Sequence, residues 1–143
     1  MGKRRIKDIV AGQKLMTVRP EETVRDAARK MVARNIAAAL VTDADGRLLG
    51  IFTERDLLRR VVAEGRDPDQ TQVAKVMTAN PHVVSLDSTV IETMRAMQER
   101  HVRHLPVTAD GRAVGIVSIR DFLGVEVDEV QREQESRERL WEA

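Results

Sequence analysis

The sequence predicts a mixed α/β fold of the α+β type: two β-α-β-β-α units of one design, with a charged helix after the second. Three observations lead there. The chain repeats itself, because residues 14–42 align with 80–108 and 44–58 with 109–123, giving 17 identities over 44 pairs. Unrelated segments of this composition share about three or four. Within each copy, short apolar runs flanking an Asp-Gly turn alternate with segments of helical period. Finally, 42% of the 143 residues are apolar, yet the aromatics are only Phe52, Phe122 and Trp141. One unit alone buries little, so the two are expected to close on each other, and the assembled helix faces to cover one another in a homodimer or larger.

The elements follow in order. The first unit, with a basic arm ahead of it, is expected over 1–65, the second over 66–125 and the charged helix over 126–143. In the first, 15–18 reads as a short strand ending near Pro20. Thr23 then caps a helix with Val24, Ala27, Ala28, Met31 and Val32 on one face, ended by Asn35. Residues 38–42 and 48–52 read as paired strands around the turn Asp43-Ala44-Asp45-Gly46. Thr53 starts a second helix, with Leu57, Leu58, Val61 and Val62 inward and Gly65 as its stop. The second unit repeats this with a strand at 83–85, a helix with Val90, Met94 and Met97 inward, strands at 104–107 and 114–117, and a helix start at Ser118. From Glu126 on, seven acids and three arginines include the pairs Asp128/Arg132, Glu133/Arg137 and Glu135/Arg139. An acid four residues before a base supports a solvated helix.

Composition excludes several classes. Without cysteine there are no disulfides, thiolate metal sites or thiol catalysis. A net charge of +1 gives no global attraction to nucleic acid. The basic arm, Lys3, Arg4, Arg5, Lys7 and Lys14 against Asp8, is short and lacks aromatics for stacking. No stretch reaches the roughly 18 apolar residues of a membrane span, so a cytoplasmic protein is expected. His101 and His104 are three residues apart, but no acid lies alongside, and no metal site is expected. No Ser or Lys has a paired base, so no enzyme is expected either.

Four places put Ser or Thr three residues before an acid: Thr23/Asp26, Thr53/Asp56, Thr89/Glu92 and Ser118/Asp121. That is capping-box spacing. Thr53/Asp56 and Ser118/Asp121 differ in following directly from a strand end, where a helix start favours an anion. There a hydroxyl can donate to a phosphate, an Asp can accept from a cis-diol, and Arg55 or Arg120 can neutralise charge. A ribose phosphate suits such a site; plain capping is the alternative reading.

These residues, together with Val76-Met77-Thr78, Ser88-Thr89-Val90, Arg103-His104-Leu105-Pro106-Val107, Asp110-Gly111 and Gly-Ile-x-Thr/Ser-x-Arg-Asp in both copies, resemble the paired cystathionine-β-synthase (CBS) motifs of a Bateman module over about residues 6–125. The resemblance implies two clefts related by a pseudo-twofold axis. It implies an adenosyl ligand there: AMP, ADP or ATP first, with S-adenosylmethionine, NAD or cyclic di-adenosine monophosphate as alternatives. It also implies a regulated protein partner. Carried over, the first cleft uses Thr53 and Asp56 with Thr78, Val83, Arg103, His104, Pro106 and Arg120; the second uses Ser118 and Asp121 with Arg55 and the strand at 37–40. Copy one departs from the pattern, with Ala37-Ala38 for Arg103-His104 and Ala11-Gly12 for Met77-Thr78, so the clefts are expected to be unequal. The competing expectation is an interaction protein that dimerises without ligand.

Overall fold

The computed structural model describes residues 4–122. Lys3 of the basic arm and the charged helix expected over 126–143 lie outside them. In chain order the elements are α1 (Ile6–Val10), β1 (Thr17–Val18), α2 (Val24–Arg34), β2 (Ala38–Thr42), β3 (Leu48–Thr53), α3 (Glu54–Asp56) running into a π-helical segment (Leu57–Val62), α4 (Val73–Val76), β4 (Thr78–Ala79), β5 (Val84–Ser85), α5 (Val90–Arg100), β6 (His104–Ala109), β7 (Arg112–Ser118) and a 3₁₀ turn (Ile119–Phe122).

The strands form two sheets, ordered β1-β2-β3-β4 and β5-β6-β7. In each, the short first strand runs parallel to the second and the hairpin partner runs antiparallel. Both hairpins carry a bulge at the same place, between Val41 and Thr42 and between Val107 and Thr108. The hairpin tips bond to each other: Leu48 N–H donates to Gly111 O at 3.1 Å and Ala113 N–H to Gly46 O at 3.0 Å. Beneath them Ala38, Leu40 and Ile51 of one sheet pack with Ala113 and Ile116 of the other, so the units meet sheet to sheet.

The two main helices begin where the caps predict. Thr23 and Thr89 accept from the backbone N–H of Asp26 and Glu92, and Asn35 and His101 end the helices in left-handed conformation. Such a cap is worth about 1 kcal/mol. Each helix covers one core. Phe52 is fully buried in the first and Phe122 in the second, each contributing about 1.5–3 kcal/mol.

Two short helices that periodicity did not show close these cores crosswise. α1 precedes the first unit but buries Ile6 and Val10 in the second core, while α4 buries Val73 and Val76 in the first. The exchange is symmetric in its hydrogen bonds. Val24 N–H at the start of α2 donates to Thr71 O at 2.8 Å, and Val90 N–H at the start of α5 donates to Arg4 O at 3.0 Å. Each leader thus satisfies a helix-start donor of the other unit.

Three residues expected inside are outside. The buried stripe of α2 is narrow, Val24, Ala27 and Met31, and Val32 beyond it is 81% exposed. Leu58 and Val62 are 62% and 64% exposed. The cause is the wider turn of this π-helical segment, in which Ala63 N–H donates to Leu58 O, five residues back. That spacing keeps Leu57 and Val61 against the core and turns their neighbours outward.

Candidate functional site

The strand end of β3 turns at Thr53 straight into α3, and the capping box there is fully made. Asp56 N–H donates to Thr53 Oγ1 at 3.2 Å, and Thr53 N–H to Asp56 Oδ2 at 3.0 Å. Asp56 does more than cap. Its Oδ2 also accepts from the Thr53 hydroxyl at 3.1 Å, and Oδ1 accepts from the Thr78 hydroxyl of β4 at 3.3 Å, with Arg60 Nε at 3.7 Å. The carboxylate is buried, only 8% exposed, at the bottom of a cleft of about 820 Å³.

That cleft lies between the two units. One wall is Thr53, Arg55, Asp56, Arg59 and Arg60; the opposite wall is Arg103 and, in β6, His104 and Pro106, with Arg100 and His101 at the end of α5. Thr78 and the loop Asn80-Pro81-His82 form a third side. Thr53, Asp56, Thr78, Arg103, His104 and Pro106 therefore meet in one place. Arg55, carried over to the second cleft from the resemblance, lines this one and donates to His101 O at 3.2 Å. Val83 and Arg120, assigned to the first cleft, are not among its lining residues; both are exposed, ahead of β5 and on the 3₁₀ turn.

Arg59 and Arg60 were missed in the sequence. The signal was present in Asp56 and Arg60, an acid four residues before a base, but their presence on the cleft side accompanies the π-helical register. Arg60 also donates to Met77 O at 2.8 Å, tying the segment before Thr78 to the helix that carries Asp56. The helix start itself offers an anion less than its sequence suggests. Glu54 N–H already donates to Ala37 O at 2.9 Å, and Asp56 N–H is spent in the cap, so the guanidinium groups are the main anion donors. Half-buried His104 has its pKa lowered, chiefly by burial, with Glu54 and Asp121 pulling it up and Arg120 and Arg103 pushing it down.

The equivalent place in the other unit is built differently. Ser118 N–H donates to Asp121 Oδ2 at 2.6 Å, but Asp121 is exposed, and Gly12 stands where Thr78 would supply a hydroxyl. Among the described residues no group of three or more His, Cys, Asp or Glu is arranged to hold a metal ion. No helix among them is long and apolar enough to cross a membrane.

Comparison with known proteins agrees with this architecture. The CBS domain model matches residues 6–63 and 73–128. CBS domain-containing protein CBSCBSPB3 of Arabidopsis thaliana is 44% identical over 110 residues, 77% of this chain and 20% of that protein, so the chain spans about a fifth of its length. The crystal structure of a CBS-domain containing protein from Agrobacterium tumefaciens superposes with TM-score 0.74 at 39% identity, covering 82% of this chain and 89% of that one. A CBS domain pair solved in complex with 5′-methylthioadenosine and S-adenosyl-L-methionine superposes with TM-score 0.77 at 25% identity, covering 85% and 94%. The chain belongs to the CBS domain family. Its two CBS repeats form the kind of pair that serves as a regulatory module.

Proposed function

We propose that this CBS pair is a non-catalytic sensor that binds an adenosyl nucleotide, AMP, ADP or ATP, in the cleft between Thr53/Asp56 and Arg103/His104. The observation that carries the reading is Asp56: a buried carboxylate at the cleft floor, held by two hydroxyls that can let it go. Ribose hydroxyls can take over the acceptor sites of Asp56 while Thr53 and Thr78 turn to donate to a phosphate, so the number of hydrogen bonds is kept. The arginines around them supply the charge.

A thermal-shift panel of AMP, ADP, ATP, S-adenosylmethionine, 5′-methylthioadenosine and NAD tests this. Ligand at a hundred times its Kd stabilises by about 2.7 kcal/mol, a rise in Tm on the order of 10 °C for a chain of this size. If no member of the panel raises Tm, the cleft is not an adenosyl site.

Occupancy is read out by self-association or by a protein partner. Exposed Val32, Leu58 and Val62 on the first unit, and Ile91, Val102 and Ile119 around an apolar groove on the second, support a contact surface for another chain. The same surface favours the second reading, ligand-independent dimerisation. Sedimentation is expected to give a dimer or larger at low and high salt, because apolar contacts are not screened. A monomer at micromolar concentration in both would contradict self-association.

A further inference from the structure

All three histidines of the chain, His82, His101 and His104, line the first cleft. They come from three places: the loop after β4, the end of α5 and the start of β6. Five arginines line it too, against only two carboxylates, Glu54 and Asp56, so the cleft is strongly cationic even with every imidazole neutral.

Of the three, His104 is the one that belongs to a strand. It pairs with Ser118 across β6 and β7 and is half-buried. The charged groups facing it are Arg103 just ahead of β6, Arg120 and Asp121 on the 3₁₀ turn and Glu54 at the head of α3, two of each sign. Burial then tips His104 to the neutral form in the free protein. A phosphate chain in the cleft adds negative charge beside it and reverses that balance.

We infer that the first cleft takes up phosphorylated nucleotides together with a proton on His104, so that the sensor responds jointly to ligand charge and pH. This rests on the nucleotide reading above. In the window between the free and the ligand-bound pKa of His104, binding carries a proton, and affinity therefore rises as pH falls. Below the free-state value it levels off. If bound phosphate raises that pKa by one, the affinity gain is up to about tenfold. Adenosine, which brings no charge, gains nothing, and the sulfonium of S-adenosylmethionine works against proton uptake.

The test is calorimetric titration of the full chain with ADP near pH 7 in buffers of different ionisation enthalpy, which counts protons per ligand. Because the terminal phosphate itself titrates near pH 6, the parent is compared with His104→Gln, and adenosine is run on the parent. The expected result is net proton uptake with ADP, clearly less in His104→Gln and none with adenosine. Equal uptake in parent and variant, or equal uptake with ADP and adenosine, overturns the inference while leaving the nucleotide reading intact. If the variant does not fold, the His104 imidazole is titrated by NMR in the parent with and without ADP, and a midpoint that ADP leaves unchanged overturns the inference. Failure of ADP and adenosine to bind the parent overturns the nucleotide reading and this inference with it.

Discussion

Ile51 and Ile116 stand at equivalent places in the two sheets, yet their outer neighbours differ. Ile51 pairs with the main chain of Thr78 in β4. Ile116 exchanges both of its backbone hydrogen bonds with a side chain: its N–H donates to Gln13 Oε1 and its carbonyl accepts from Gln13 Nε2, each at 2.9 Å. The Gln13 carboxamide imitates the peptide group of an edge strand. Backbone polar groups are satisfied either way. Only the true strand, however, brings a hydroxyl to the neighbouring carboxylate, as Thr78 does to Asp56. The strands beyond differ in the same sense. Ala38 is buried in the contact between the sheets, whereas His104 opens onto the cleft. One repeated unit has thus become a cleft wall in one copy and packing in the other.

The largest effects should come from the glycines that let the leaders approach. A Cβ on Gly50 would lie 2.7 Å from both Met77 Sδ and Thr78 O; one on Gly115 would lie 2.9 Å from Val10 Cγ1. Both Gly→Ala changes should destabilise by about 1–3 kcal/mol in denaturant melts. Only Gly50→Ala should also weaken nucleotide binding, because it displaces β4 with Thr78. Equal loss of nucleotide affinity in both variants would erase the distinction between the clefts.

Next are the carboxylates. Asp56→Ala should weaken ADP binding about tenfold to a hundredfold, the loss of a hydrogen bond to a charged acceptor, while Asp121→Ala leaves affinity nearly unchanged. Parent affinity in Asp56→Ala would return that residue to the capping box alone. Arg103→Ala should reduce ADP affinity about tenfold and adenosine affinity far less. Proportional losses in the two titrations would mean that Arg103 shapes the wall and does not read charge. The smallest effect belongs to Gln13→Ala, which removes two exposed hydrogen bonds that water can replace, at a cost of about 0.5–1 kcal/mol. ADP binding should be unaffected; a weakened site would show that the two edges are coupled.

Much of this was legible in the sequence. β2 runs over the predicted residues, 38–42, and α2 and α5 begin at the predicted caps, because strong local chemistry sets those boundaries. The resemblance brought Thr53, Asp56, Thr78, Arg103, His104 and Pro106 to one cleft, where the structure also has them. The exchange of α1 and α4 was not legible, since helices of five and four residues are too short for periodicity to register, and which core they enter is decided by tertiary packing. The π-helical register was hidden too. Its pattern Leu57, Leu58, Val61, Val62 is a valid α-helical face, and only the π-helical backbone, with Leu58 and Val62 exposed on it, shows that two of these side chains point outward. Gln13 gave no signal at all, because a carboxamide in a loop looks the same whether or not it completes a sheet.

The nucleotide is expected in the cleft with the true edge strand and not in its counterpart. The stoichiometry of ADP binding measures this most directly. One ADP per chain is expected, lost on Asp56→Ala and retained on Asp121→Ala. Two equivalents of similar affinity per chain, or a single site that survives Asp56→Ala and disappears with Asp121→Ala, would contradict it.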